Sequence, residues 1–310
     1  MRILLTFLAL LASPTLLAQG TVRATIDSAF LVKGETTRLT LEIQTPDRPR
    51  SAPVAAANPD IIIKFNGEGT RLSQNRQRVF AYTYTVQSFK EGTHEIPSFT
   101  TTLKGRELRS TPIPIRVADF GDLTYHSITI GQSEVKFYSA IFIPEKQHYE
   151  RESFPAEVKV YLPEKVGRPN GVVAELEHDG VVAWRFEATP GMTRVALPTG
   201  NHIGSAFRST ASSIRSGEVQ LGPGRAQIVL SVRTSQGPFT ITNNTPFYFD
   251  VPARKFSTLP LPGGAPPTFK GAVGNFTVRA TADTDELEEG DPIAVRLAVS
   301  GRGNLDSLPA

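Results

Sequence analysis

The chain contains no cysteine, two methionines and one tryptophan in 310 residues. Without cysteine there are no disulfides, thiolate metal sites, iron–sulfur clusters, cysteine nucleophiles or lipids attached through a thiol. There is also little net charge. Its 33 basic and 30 acidic residues give +3, and the two signs are interspersed. That excludes the Lys/Arg stripe with which a nucleic-acid binder follows a phosphate backbone. No apolar run beyond the N-terminus approaches the about 20 residues that span a bilayer. Pro and Gly are in modest excess, 24 and 25 residues, together about 16% against an average near 12%. The excess is too small for collagen or a low-complexity chain and suits a fold with many turns. With 39% apolar residues the chain can bury real cores, and its length allows about two or three domains.

Residues 1–18 read MRILLTFLALLASPTLLA. Arg2 precedes the apolar run Ile3 to Ala12, Pro14 follows, and Ala18 offers a small residue before Gln19. This layout predicts a secretory signal peptide. The alternative, an uncleaved anchor, needs a longer apolar run. No Cys follows the site, so it is not a lipoprotein signal, and the mature chain is expected to be exported.

The remainder alternates apolar and polar residues at period two. Val22, Ala24 and Ile26 do so, as do Leu39, Leu41 and Ile43; Tyr82, Tyr84 and Val86; Ile113, Ile115 and Val117; Val158, Val160 and Leu162; Ile228, Leu230 and Val232; Phe247, Phe249 and Val251; and Val295, Leu297 and Val299. Short alternating runs bounded by Gly, Pro, Asn or Asp predict strands. Their spacing predicts an all-β chain of tandem Ig-like antiparallel β-sandwiches. Trp184 is expected in a sandwich core.

An internal repeat sets the domain count. TVRAT at 21–25 recurs at 277–281. At the same offset Leu31 matches Leu287, Gly34 matches Gly290, Glu35 is replaced by Asp291, and Leu39, Leu41, Ile43 match Val295, Leu297, Val299. The unit is a strand, a turn carrying Gly and an acid, and a second strand. Glycine supplies positive φ, and the carboxylate can accept turn N–H groups. A weaker copy at 136–162 has Arg151-Glu152 at the turn. Thr111-Pro112 and Thr245-Pro246 each precede an alternating run, a strand-entry position for Pro. The Pro/Gly-rich stretch 252–269 reads as a linker. The expected organisation is a signal peptide at 1–18, a sandwich at 19–119, a second at 120–252, a linker at 253–274, and the start of a third at 275–310. A sandwich of this kind needs about 100 residues. The natural chain is therefore expected to continue beyond these residues.

Motifs that would carry chemistry are few. His94, His126, His148, His178 and His202 share no helical spacing, and no HExxH occurs. They read as exposed or hydrogen-bonded histidines rather than a zinc site assembled across strands. Gly131-Gln-Ser133 lacks the closing Gly of a nucleophile elbow. Gly222-Pro-Gly224 and Gly301-Arg-Gly303 are turns, with no helix to face a phosphate. The acidic run 283–291, DTDELEEGD, is the best cation candidate, but its counterpart at 27–35 has far fewer acids, so a solvated turn is the reading. Segment 201–217, polar and Ser-rich, is read as a strand and turn in preference to an exposed contact loop. No catalytic, cofactor-binding or metal residue is nominated, and no cofactor is expected.

Four segments resemble BatD, the aerotolerance-associated family of bacterial exported proteins. They are VRATIDSAFLVKGETTRLTLEI at 22–43, YTYTVQSFKEGTHEIPSFTTTLKGRELRSTPIPIRV at 82–117, FRSTASSIRSGEVQLGP at 207–223, and LPLPGGAPPTFKGAVGNFTVRAT at 259–281 followed by SGRGNL at 300–305. The last string is the most specific. The resemblance implies a periplasm-facing β-rich protein with a membrane span beyond these domains. It implies membrane-associated partners, among them von Willebrand factor A domain proteins and a MoxR-type AAA+ ATPase system, and a role in oxidative or envelope stress. No catalytic residues carry over, so a non-enzymatic interaction protein is expected, without nucleic-acid or small-molecule substrate. An exported carbohydrate- or ligand-binding adhesin is the alternative.

Overall fold

The computed structural model describes residues 21–73, 78–130, 132–166, 171–236, 239–284, 286, 288, 290 and 292–304. The expected signal peptide and Gly131 lie outside the described residues, as do Asp285, Leu287, Glu289 and Asp291.

The first stretch forms ten strands: β1 (Thr21–Ile26), β2 (Phe30–Val32), β3 (Thr36–Gln44), β4 (Val54–Ala55), β5 (Ile62–Leu72), β6 (Arg78–Gln87), β7 (Gly92–Ile96), β8 (Phe99–Leu103), β9 (Arg106–Arg109) and β10 (Ile113–Ala118). A 3₁₀ turn at Phe120–Asp122 leads into eleven more: β11 (Thr124–Ile130), β12 (Ser133–Phe142), β13 (His148–Tyr149), β14 (Ser153–Pro163), β15 (Gly171–Asp179), β16 (Val181–Ala183), β17 (Glu187–Leu197), β18 (Gly200–Ser213), β19 (Gly217–Gln236), β20 (Phe239–Val251) and β21 (Arg254–Leu259). A final hairpin pairs β22 (Gly274–Ala282) with β23 (Val295–Gly303). The all-β expectation holds.

The largest sheet runs β11-β12-β14-β18-β17-β3-β6-β5, with β1 on β3 and β16 on β18. It crosses from the first unit to the second through one pair, Arg194 opposite Thr36. In the first unit, Leu39, Leu41, Ile43, Tyr82 and Tyr84 pack against Leu31, Ile96, Ile115 and Val117 of the β2-β10-β7 sheet. In the second, Phe154, Ala156, Val158, Val160 and Leu162 of β14 pack against Leu221, Ala226, Ile228 and Val251 of the β13-β21-β19-β15 sheet and β20. These are two antiparallel sandwiches, each built by period-two alternation on facing sheets. Two short contacts are parallel: β10 with β2 and β13 with β21.

A third cluster joins the units. Phe30, Val32 and Ala118 lie on the face of β2-β10 turned away from the first core, and meet Ala140, Phe142 and Tyr161. The small β2-β10-β7 sheet is thus covered on both faces.

The repeat is a repeat of structure. Val22 lies opposite Ile43, Ala24 opposite Leu41 and Ile26 opposite Leu39. The same offset pairs Val278 with Val299, Ala280 with Leu297 and Ala282 with Val295. The turn geometry recurs in the middle copy. Gly34 has φ +76° and Arg151 has φ +64°. Glu35 Oε2 accepts the Val32 N–H at 2.8 Å, and Glu152 Oε2 accepts the Tyr149 N–H at 3.0 Å. The carboxylate holds a turn whose left-handed residue is Gly in one copy and Arg in the other.

Three expectations are corrected. Trp184 is 67% exposed, not in a core. It follows β16, where Val181 is buried and Val182 exposed, and the alternation carries Trp184 outward. The linker expected at 253–274 begins with a strand. β21 pairs with β19 and buries Thr258, completing the second sandwich. Only its later, Pro/Gly-rich part lacks strand structure. Pro246 is inside β20 rather than at its entry. It is tolerated because β20 pairs with β19 alone and leaves its other edge free. Segment 201–217 is strand β18 followed by a turn, as read.

Candidate interaction site

The longest free edge in the first unit is β5. It spans Ile62–Leu72 and pairs with β6 alone, at the end of the largest sheet. An edge strand presents unpaired main-chain N–H and C=O groups to any further strand. Three apolar side chains on it are exposed: Ile62, Phe65 and Leu72. A bulge between Phe65 and Gly67 ends the regular register.

Before the bulge, Ile63 and Phe65 face a groove of about 500 Å³ between β5 and the short strand β4. Its floor is aromatic: Phe65 lies 5.4 Å from Tyr84, and Tyr84 lies 4.8 Å from Phe99. The Tyr84 hydroxyl donates to the Pro53 carbonyl at 2.6 Å. Burial, and then the neighbouring Tyr82, push the Tyr84 phenol well above its usual pKa, so it stays a neutral donor and holds the 52–58 segment in place. β4 is itself the edge of a second sheet, β4-β8-β9. The groove is an apolar slot flanked by two free edges, the geometry that accepts an added strand.

What holds this unit to the next is a buried polar lock. β14 turns Phe154, Val158 and Leu162 into the second core, so Glu157, Lys159 and Tyr161 fall on the opposite face, against residues 28–35. Lys159 and Glu35 have fully buried side chains, with Nζ 2.6 Å from Oε1. Lys159 Nζ also donates to the Phe30 carbonyl at 2.7 Å. The second oxygen of Glu35 accepts the Tyr161 hydroxyl at 3.0 Å, besides the Val32 N–H. Burial first, then the Glu35 charge, raises the Tyr161 phenol well above its usual pKa, which keeps it a donor. Glu157 accepts Nε and Nη2 of Arg208 at 3.0 and 2.7 Å, and the Ser28 hydroxyl at 2.8 Å. A Cβ at Gly204 would collide first with Thr193 Oγ1 and would then sit 3.0 Å from the Tyr161 ring and 3.1 Å from Glu35 Oε1.

The histidines are held separately. His126 Nε2 lies 2.8 Å from Ser139 Oγ, and its ring stacks on Phe137. His148 packs on Phe154 with Nε2 3.1 Å from the Pro144 carbonyl. His202 Nδ1 lies 2.7 Å from the Gly200 carbonyl. Burial lowers the pKa of His126 and His148. Among the described residues, no three His, Asp or Glu side chains are placed to hold a metal ion. Asp283, at the start of the acidic run, accepts the Ala294 N–H at 3.1 Å. Sequence reasoning singled out Glu35 as a turn acid but did not find Lys159, Tyr161, Glu157 or Arg208, whose contacts span 51 to 129 residues.

Residues 24–117 match the family model BatD, described as the BatD DUF11 like domain. The N-terminal portion of this chain is BatD-like. The matched range runs from within β1 to within β10, so the BatD-like unit contains both the β5 edge and Glu35. No curated protein matches the chain significantly. Two solved structures are similar at 10% identity. One is FdeC, a broadly conserved Escherichia coli adhesin, over 90% of this chain and 73% of that one, with a TM-score of 0.21. The other is the Enterococcus faecalis MSCRAMM ACE, over 74% of this chain and 94% of that one, with a TM-score of 0.18. Scores this low carry no argument about function. Among the described residues, no helix is long and apolar enough to cross a membrane.

Proposed function

We propose that this BatD-like chain is an exported, non-enzymatic interaction protein of the cell envelope, and that it recruits partners by strand addition at β5. The observation that carries the reading is the free β5 edge with its aromatic-floored groove, inside the segment that matches the BatD model. An added strand would pair with β5 through the main chain and lower alternate side chains into the groove. The partners that fit the family resemblance are membrane-associated proteins, including von Willebrand factor A domain proteins acting with a MoxR-type AAA+ ATPase, in an aerotolerance or envelope-stress complex. The organisation we favour keeps sandwiches near 19–119 and 120–252, extends the second through β21, and leaves 275–310 as the start of a third unit.

The test immobilises the purified chain and captures proteins from detergent-solubilised envelope of the source bacterium. Phe65→Asp should abolish capture of the partner set while leaving the β circular-dichroism spectrum unchanged. Equal capture by this variant would discard the β5 edge. Turnover of a broad hydrolase substrate panel by the isolated chain would discard the non-enzymatic reading.

A further inference from the structure

We infer that Met192 is a site of oxidation by peroxide, and that the buried Ser205 hydroxyl beside it becomes the donor to its sulfoxide oxygen. The inference does not rest on the strand-addition reading above.

The chain has no cysteine and two methionines, of which the first is Met1. Met192 is therefore its one internal sulfur. It stands in β17, directly after the irregularity that interrupts the register with β18 between Ala188 and Met192. From there the pairing is regular: Met192 lies opposite Ser205, Thr193 opposite Gly204 and Val195 opposite His202. Val195 belongs to the junction cluster with Tyr161, and Tyr161 lies opposite Gly204. Thr193 and Val195 thus share the junction face, and alternation puts Met192 and Ser205 together on the other one. There Ser205 adjoins Val160, its partner in β14 and a member of the second core. Ser205 is 3% exposed, and its Oγ is buried with no hydrogen-bond partner among the described residues. Met192, one strand further out, is 41% exposed. A thioether that solvent can reach therefore lies beside a buried, unpaired hydroxyl.

Leaving a buried hydroxyl unpaired is costly, and a thioether is only a weak acceptor. Oxidation changes the acceptor. The Sδ lone pair attacks one oxygen of hydrogen peroxide, the S–O bond forms and the O–O bond breaks. The attacked oxygen passes its proton to the leaving one, which departs as water. Sulfur loses two electrons and the peroxide gains them. The sulfoxide is polar, and sulfoxide reductases restore the thioether. Side chains directly opposed in a sheet have Cβ atoms about 4.5–5.5 Å apart, so rotation of the methionine alone brings an oxygen on Sδ within reach of Ser205 Oγ. At an ordinary exposed methionine the new oxygen meets only water. Here a buried donor without an acceptor stands next to it.

The test treats the purified full chain with hydrogen peroxide and follows the tryptic peptide Phe186–Arg194, which should gain one oxygen at Met192. Urea unfolding of the reduced and oxidised chains is then compared in the wild type and in Ser205→Ala. Oxidation should shift the folding equilibrium about fivefold more favourably with Ser205 present than without it, the size of one hydrogen bond. Met192→Gln sets an amide oxygen near the same point without any oxidant and should show the same dependence on Ser205. Met192→Leu should gain no oxygen in this peptide. In the reduced chain Ser205→Ala removes only an unpaired hydroxyl and should not lower stability; a variant that unfolds would show that the hydroxyl is already bonded, against the inference. The inference also fails if the peptide gains no oxygen, or if oxidation shifts the wild type and Ser205→Ala alike, which would make Met192 an ordinary site of oxidative damage.

Discussion

Leu39, Leu41 and Ile43 are completely buried, whereas their repeat counterparts Val295, Leu297 and Val299 are 58, 67 and 41% exposed. Yet the two hairpins share one register, pair for pair. The contrast separates two things that period-two alternation is often taken to give together. Alternation determines that a segment is a strand and which side chains share a face. Burial of that face requires a second sheet from elsewhere in the chain. The first copy has one in β2-β10-β7. Its turn is also enclosed, because Lys159 reaches Glu35 from the second sandwich.

The largest expected effect breaks the enclosed turn of the first copy. Lys159→Met leaves Glu35 buried without its counter-charge and should cost about 3–5 kcal/mol in denaturant unfolding. Adding Glu35→Leu should restore most of the loss. A single substitution costing under about 1 kcal/mol would mean that the pair is solvated. The next test sets the copies side by side. Leu41→Ala should cost about 2–5 kcal/mol, and Leu297→Ala within about 0.5; equal costs would erase the contrast. Tyr161→Phe removes one of two donors to Glu35 Oε2 and should cost about 1–2 kcal/mol.

The smallest effect is on pH. His126 and His148 have pKa values lowered from 6.5 by burial. The unfolded chain therefore binds protons first as pH falls. Their contribution is complete above about pH 6.5 and is lost as pH falls through the lowered values. Around His148 the facing groups are Glu152, Lys146 and the Pro144 carbonyl. Glu152 itself has its pKa lowered; burial opposes this, and the Lys146 and Tyr149 N–H contacts outweigh it. Its titration thus lies below the histidine window. The denaturation midpoint should be lower at pH 5.5 than at pH 7.5. A flat profile or the opposite slope would contradict the burial of these rings. Neither histidine has a counterpart in the third copy, so the slope reports on the sandwiches alone.

Much of the fold was legible in local pattern. The strands around Leu41, Tyr84, Val160 and Ile228 follow from alternation, and the Gly34-Glu35 turn from its residue types. Trp184 departs from what its hydrophobicity predicts because the phase of the alternation points it outward with Val182. β21 was hidden because Pro252 and the later prolines masked the short run Arg254–Leu259. The lock was illegible for a different reason. Glu157 and Lys159 alternate with Val158 and Val160 as solvent-facing charges do on a half-exposed strand. Only the packing of β2 onto the far face of β14 turns those charges inward, and that contact joins residues 129 positions apart. The β5 edge was equally invisible, since whether a strand is central or terminal is a property of the sheet.

The passage from the first sandwich to the second has mechanical meaning. β10 ends at Ala118, whose side chain is already in the junction cluster, and β11 begins at Thr124 after one 3₁₀ turn. There is no slack tether between the two bodies. To bend one against the other, the buried ion pair, the apolar junction and the Thr36–Arg194 sheet contact must all give way together. On the proposal that partners dock at β5, a pull on that edge would reach the second sandwich through these contacts. Bending at this junction is thereby coupled to rupture of the buried lock and not to slack in a linker.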